Sequence, residues 1–308
     1  MNLKNKIKKV IKNPLWMIAF LNNRGIHLLK DKMYLRLLYK LEMGDKLDIR
    51  NPKTFNQKLQ WLKLYDRNPE YTKMVDKYEA KKYVSNVIGE EYIIPTLGVW
   101  EKFEEIDFNQ LPNQFVLKCT HDSGGLIICK DKNILNIKSS KKLINKCLKN
   151  NFYYSGREWP YKNIRPRIIA EKYMATNKQK ELIDYKFFCF NGKPEFLYVS
   201  EGLSNHSTAK ISFANMSYEK MEFYRKDYKP FDVLPQKPIN FNKMKELAEK
   251  LSRNIPFLRV DFYEIEGKIY FGELTFFPCS GYIPFEPEEW DKKLGDMLEL
   301  PKEKKVEK

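Results

Sequence analysis

The sequence predicts an α+β fold, and three features carry the prediction. Phe257–Ser280 reads as two aromatic, β-branched strands joined at Glu266-Gly267. Asp184–Phe190 and Pro194–Val199 read as a second hairpin over Asn191-Gly192, the strongest short turn signal in the chain. Helical spacing alternates with these strands: Met244, Leu247, Ala248 and Leu251 recur within Asn242–Arg253, and Ser139–Asn150 is a Lys-rich amphipathic helix. At 308 residues the chain is long enough for one large or two modest domains.

Residues 1–30 hold Lys4, Lys6, Lys8, Lys9, Lys12, Arg24 and Lys30 and no acid, around the apolar run Leu15–Leu21. This segment suits either a membrane-surface helix drawn to anionic lipid or a docked helix with a basic outer face. Residues 31–75 are expected to be helical, with Thr54 capping a helix that carries Phe55, Leu59 and Leu62. Asp76-Lys77-Tyr78 opens a helix through about Val87, and Ile93–Trp100 follows as an extended segment. Gln114–Cys119, Leu126–Cys129 and Ile168–Met174 read as strands, residues 200–236 as a substrate-facing insertion or loop, and Pro287–Leu298 as a last helix before a frayed tail at 302–308.

Composition narrows the classes of function. The net charge of +16 invites a nucleic-acid reading, yet ten of the 56 basic residues are Arg, and scattered Lys is poorly suited to bidentate base or phosphate recognition. Specific nucleic-acid binding is therefore not expected, whereas acidic substrates, polyanionic glycans, nucleotides and anionic membrane all suit the charge. Five cysteines without CxxC spacing point to buried free thiols of a reducing compartment. Leu15–Leu21 is too short to span a bilayer and is followed by Asn22-Asn23-Arg24, with no small-residue cleavage site. These features place the protein in the cytoplasm, with the inner face of the membrane as a peripheral location.

The chemistry gathers at a few positions. Period-2 alternation sets Arg259, Asp261 and Tyr263 on one face of the first strand of the 257–280 hairpin, and Phe271, Glu273 and Thr275 on one face of the second. Carboxylates within an apolar sheet need a compensating charge, either a divalent cation held by oxygen ligands or an ion network with Arg259. Asp261 and Glu273 share a face only if the paired residue numbers have an even sum. A two-residue turn at Glu266-Gly267 gives an odd one, so an odd-length loop or a bulge is required in place of a tight turn. Lys118 interrupts a buried strand and calls for an anionic partner. Five residues later Ser123-Gly124-Gly125 offers backbone N–H groups to a phosphate, or else forms a plain hairpin turn.

The order of these parts resembles the ATP-grasp superfamily, and from about Asn51 to Pro301 it is similar to the TupA-like branch associated with bacterial surface-polymer synthesis. The phrases that carry the resemblance are Asn51–Lys58, Asp76-Lys77-Tyr78, Phe115–Cys119, Ser123-Gly124-Gly125, Ala170–Met174, Asp184–Phe188, and Arg259-Val260-Asp261 followed by Gly272-Glu273-Leu274-Thr275. The resemblance implies an ATP-grasp fold of two α+β subdomains clasping ATP, about 115–165 and 166–301 within a catalytic region 76–301, behind a helical, basic region 1–75. It implies that Lys118, Lys77 and the Ser123, Gly124, Gly125 loop hold phosphates, and that Glu171 and Met174 form the hinge to adenine with Lys172 nearby. Asp184 and Lys186 fall near ribose or phosphate. Asp261 and Glu273 hold Mg²⁺, and Arg259 steadies the transferred phosphoryl group. Thr275 stands where many members have Asn, which weakens its place as a third metal ligand. Asp122 stands where a small residue is usual, unfavourably unless it faces solvent or a cation.

The expected activity is that of an ATP-dependent carboxylate–amine ligase producing ADP through an acyl phosphate, with a uronic acid or acidic residue of a capsule or cell-wall polymer as carboxylate. Such chemistry needs charge neutralisation rather than a protein nucleophile, consistent with only three histidines, of which His121 alone adjoins the phosphate loop. A sugar-nucleotide glycosyltransferase would call for Asp-x-Asp, which the chain lacks. A non-catalytic basic protein binding polyanion or membrane through residues 1–30 is the third class. The aromatic segment 152–161 and residues 200–236 are the candidates for acceptor recognition, with lid or surface packing as the alternative.

Overall fold

The computed structural model describes residues 9–22, 26–122, 124–174, 182–203 and 208–302. Helix α1 (Trp16–Asn22) lays Trp16 and Ala19 on α2 (Asp31–Met43) at Tyr34 and Leu38. Helix α3 (Phe55–Tyr65) begins at Thr54, whose hydroxyl accepts from the Gln57 amide while the Gln57 side chain caps in return. Short helices α4 (Glu70–Val75) and α5 (Glu79–Ile88) lead to β1 (Thr96–Trp100), β2 (Phe115–Cys119), β3 (Ile127–Cys129), α6 (Ile137–Leu148) and β4 (Ile168–Lys172). After these come β5 (Asp184–Phe190), β6 (Lys193–Glu201), β7 (Lys210–Asn215), β8 (Tyr224–Arg225), α7 (Phe241–Ser252), β9 (Phe257–Ile265), β10 (Lys268–Thr275), β11 (Phe285–Glu286) and α8 (Glu289–Met297).

Two antiparallel sheets organise the molecule. The first has the order β1-β4-β2-β3 and packs Phe115, Leu117 and Cys119 with Ile144 and Cys147 of α6. The second has the order β10-β9-β5-β6-β7. One of its faces meets α7, where Phe187 lies 5.7 Å from Phe241. The opposite face meets α3, where Phe55 packs on Phe188, Phe190 and Phe257. Strand β4 pairs with both β1 and β2, so the first sheet runs through Lys172. Leu35, Phe55 and Leu62 of the N-terminal helices belong to the same core as the second sheet.

Residues 200–236 depart from the loop expected. They contain β7, which completes the second sheet with Ile211, Phe213 and Ala214 buried, and β8, which pairs with β11. The polar composition hid β7 because Ser212 is buried within it, where its hydroxyl accepts from the Phe231 amide. The 152–161 segment resolves toward packing: Tyr153 and Tyr161 are core residues, and Arg157 and Glu158 are buried. Four cysteines are buried, whereas Cys279 is exposed.

The 257–280 hairpin keeps the tight turn that parity argued against. Lys268 pairs with Ile265 across Glu266-Gly267, both at positive φ, 51° and 72°, the conformation of a two-residue hairpin turn. Register then shifts between Phe271 and Glu273, so a bulge at Gly272 supplies the change of parity. Phe271 consequently stands opposite Phe262, whereas Glu273 stands opposite Asp261, and simple alternation along Phe271–Glu273 does not hold.

Candidate functional site

A cavity of about 670 Å³ lies between the two sheets. Its walls include Lys77, Lys118, Gly124, Glu171, Met174, Asp184, Lys186, Asp261 and Glu273, so nine of the positions singled out in the sequence meet there. Apolar side chains from several elements, Met74, Ile93, Leu126 and Leu203 among them, complete the wall. Arg259, Thr275, Gly125 and Lys172 do not line it. Lys172 is exposed at the end of β4, whose other residues are all buried. Ser123 lies outside the described residues.

On the first-sheet side, Glu171 occupies the centre of a buried charge cluster. Its Oε2 is 2.6 Å from Lys118 Nζ and its Oε1 2.6 Å from Lys81 Nζ. Burial opposes the charge of Glu171, but the two ammonium groups outweigh it and hold the carboxyl below its ordinary value. Lys81, whose Nζ also donates to the Ile94 carbonyl, went unmarked in the sequence. Nothing local marks it, since it lies on α5 whereas Lys77 precedes that helix. Lys77 donates to the Asp122 carbonyl at 2.6 Å and lies 3.8 Å from Glu273 Oε1, tying the phosphate-loop segment to the second sheet.

Asp122 is turned inward rather than toward solvent. It is buried, and its Oδ2 accepts from Asn150 Nδ2 at 2.8 Å and from the Cys147 thiol at 3.4 Å. Its Oδ1 accepts from the Gly124 amide at 3.3 Å, so the carboxylate braces the loop from within. His121 is turned the same way: its Nε2 is 3.2 Å from the Cys147 carbonyl, and burial lowers its pKa. Gly125 has φ 64°, and a Cβ there would fall 2.7 Å from Cys147 Sγ and 2.8 Å from Cys119 Sγ. Only glycine fits at that point.

On the second-sheet side, Asp261 is nearly inaccessible and receives three charged hydrogen bonds. Arg259 Nε reaches Oδ1 at 2.7 Å, and Arg259 Nη2 and Lys186 Nζ each reach Oδ2 at 2.7 Å. Burial alone would raise the Asp261 pKa, but Arg259 and Lys186 outweigh it and hold it below the ordinary value. Lys186, also 3.0 Å from Asp184 Oδ1, is held well above the ordinary lysine value because the two carboxylates overcome the cost of its burial. Glu273 is more open, with Oε2 3.6 Å from Arg259 Nη2 and 3.5 Å from Thr275 Oγ1. The hairpin therefore carries the Arg259 ion network. Among the described residues no group of three or more His, Cys, Asp and Glu side chains is placed to hold a metal. The oxygen donors of Asp261 and Glu273, set opposite one another across a strand pair, nevertheless fit a hard cation that takes its remaining ligands from phosphate and water.

Two antiparallel sheets closing on a cavity with lysines and a loop glycine on one wall, and two acids with an arginine behind the other, define an ATP-grasp arrangement. The chain belongs to the TupA-like ATP-grasp family, whose model matches residues 57–299. ATP-grasp proteins work with ATP and Mg²⁺. A comparison with curated proteins found no match. Among solved structures the chain is similar to D-alanine–D-alanine ligase from Bacillus anthracis complexed with ATP, at 16% identity and TM-score 0.39, covering 73% of this chain and 63% of that one. It is similar to D-alanine–D-alanine ligase from Helicobacter pylori at 15% identity and TM-score 0.41, covering 81% and 70%. It is also similar to the ADP complex of N5-carboxyaminoimidazole ribonucleotide synthetase, at 16% identity and TM-score 0.39, covering 78% and 56%. The chain thus spans less than two thirds of the Bacillus anthracis ligase.

Proposed function

We propose that this protein joins a carboxylate to an amine at the expense of ATP, releasing ADP and phosphate. The carrying observation is the opposition, across one cavity, of the Lys77, Lys81 and Lys118 wall and the Asp261–Glu273 pair backed by Arg259. A carboxylate is a poor acylating agent. Its oxygen takes the γ-phosphoryl group from ATP, ADP leaves, and the amine then displaces phosphate from the acyl phosphate to form the amide. Asp261 and Glu273, with Thr275 beside them, would hold Mg²⁺, which when bound offsets phosphate charge. Lys118, Lys77 and the Ser123–Gly125 loop orient the phosphates, and Met174 and the strand end carrying Glu171 and Lys172 approach the base. Arg259 and Lys186 meet the charge that develops on the transferred group.

The net charge and the resemblance to the surface-polymer branch support a uronic acid or acidic polymer residue of a bacterial capsule or cell wall as the carboxylate, with the protein in the cytoplasm. Contact with the inner membrane face is part of the same reading. Leu15 and Met17 are exposed around the anchored Trp16, with Lys9 and Lys12 beside them, whereas residues 1–8 lie outside the described residues. No helix among the described residues is long and apolar enough to cross a membrane.

Incubation with Mg²⁺-ATP and a panel of uronic acids and amines, reading ADP and AMP, tests the reaction. ADP release that depends on both co-substrates is the expected result, and AMP release would sink the acyl-phosphate route. Thermal stabilisation by Mg²⁺-ATP and not by UDP-sugars separates this reading from a glycosyltransferase.

A further inference from the structure

A second pair of buried opposite charges, Lys63 and Glu158, is linked through Ser280 rather than by direct contact, and nothing in the reaction above uses it. Lys63 on α3 and Glu158 are both buried, with 1% and 4% of their surface exposed. Lys63 Nζ donates to Gln60 Oε1 at 3.1 Å, to the Gly156 carbonyl at 2.7 Å, and to Ser280 at both its carbonyl, 2.7 Å, and its Oγ, 2.9 Å. The Ser280 hydroxyl in turn hydrogen-bonds the Glu158 carboxylate. Gln60 Nε2 adds donors to the Ser280 and Gly281 carbonyls at 3.0 and 2.9 Å. Gly156 and Gly281 leave no room for a Cβ, which would run into Ser280 Oγ and Gln60 Nε2 respectively.

All of these contacts converge on one turn, Cys279–Gly281, whose three residues have φ of 48°, 55° and 69°. Two of them are not glycine, so the conformation is strained and needs outside support. Two buried charges linked through Ser280 are a costly way to supply it. Burial draws Lys63 down and Glu158 up, each to about 7, and their mutual attraction opposes both shifts. Arg259 and Glu273 are the other charged groups that Glu158 feels.

The position of the turn gives the support a purpose. The turn follows β10 directly, and the Cys279 thiol feels Arg225 and Arg259. Lys186, Asp261 and Glu273 line the nucleotide cavity, whereas Arg259 stands outside its wall. In-line transfer requires the carboxylate to approach from the side opposite ADP. Arg259, proposed to meet the charge on the transferred group, also acts on the Cys279 thiol, which relates the turn to that group. We propose that Lys63, Gln60 and Glu158 are positioning residues that clamp the Cys279–Gly281 turn as a wall of the carboxylate subsite. The proposal rests on the ligase reading for the identity of that subsite.

Glu158→Gln, Ser280→Ala and Lys63→Met, each in the full chain, test the clamp. Cys279 is exposed as a residue although burial raises the pKa of its thiol, so the thiol's rate of reaction with an aromatic disulfide reagent reports opening of the turn, and Cys279→Ser sets the background from the other thiols. Loosening is expected to change that rate about tenfold in Glu158→Gln and Ser280→Ala while Mg²⁺-ATP affinity stays unchanged. With any carboxylate–amine pair that turns over, KM for the carboxylate rises and KM for ATP does not. Unchanged labelling in both variants overturns the proposal, as does a loss of ATP affinity in parallel with the labelling change. If Lys63→Met fails to fold, the other two decide. Failure of the wild type to bind Mg²⁺-ATP would instead remove the ligase reading and leave the labelling result intact.

Discussion

Glu273 stands directly opposite Asp261 because Gly272 bulges out of β10 between Phe271 and Glu273. A Cβ at position 272 would lie 3.0 Å from Tyr263 Cε2 and 3.2 Å from the Asp261 carbonyl, tighter than ordinary contact. Gly272→Val is therefore expected to destabilise the fold by about 1–3 kcal/mol. Mg²⁺-ATP affinity should fall further than that loss explains, because the two acids move apart. Melting and nucleotide titration on the same preparation check both.

The two acids should not behave alike when neutralised. Glu273→Gln removes a carboxylate that is half open to solvent, so turnover should fall by about 100-fold or more with little change in melting temperature. Asp261→Asn strips the partner from buried Arg259 and Lys186, and stability should fall by about 3–5 kcal/mol as well. Equal melting of the two variants would contradict the network described.

Lys81→Met tests the cluster around Glu171. Without Lys81, Glu171 leans wholly on Lys118, a group proposed to hold phosphate. ATP affinity should drop by about five- to tenfold although Lys81 itself need touch no nucleotide. A double variant with Glu171→Gln should recover part of the loss, which a thermodynamic cycle measures.

Acid should loosen the protein at identifiable carboxylates. Asp261 and Glu171 are held below their ordinary values of 3.8 and 4.5, so the native state binds fewer protons than the unfolded chain. Their stabilisation is complete above those ordinary values and is lost as pH falls through the lowered ones. Glu158 and Asp291, held above their ordinary values, act in the opposite sense, so the difference between wild type and variant is the measure. Glu171→Gln should flatten the decline in melting temperature from about pH 5 to about pH 3.

What the sequence made legible follows from which signals are local. The Asn191-Gly192 hairpin, the cap at Thr54 and the α7 stripe are written in neighbouring residues, and each appears where expected. Strand β7 is not so written: Ser212 and Asn215 are polar because their partners, Phe231 and Glu219, lie in later turns. Parity showed that the 257–280 hairpin needed one extra residue, and the structure sets it at Gly272 rather than in the turn. Lys81 escaped because a lysine on a helix is ordinary until Glu171 arrives from β4, 90 residues later in the chain. The Lys63–Glu158 pair escaped for the same reason, since its partners come from three distant segments.

The three charged hydrogen bonds on Asp261 have a consequence for the apoprotein. Because Arg259 and Lys186 already balance Asp261, the folded state is expected to keep its integrity without a divalent ion. A chelator should leave the melting temperature where it was, unlike that of proteins whose metal is part of the scaffold. Magnesium would then be a visitor that arrives with the nucleotide and departs with it, while the acid it visits keeps its own counter-charges.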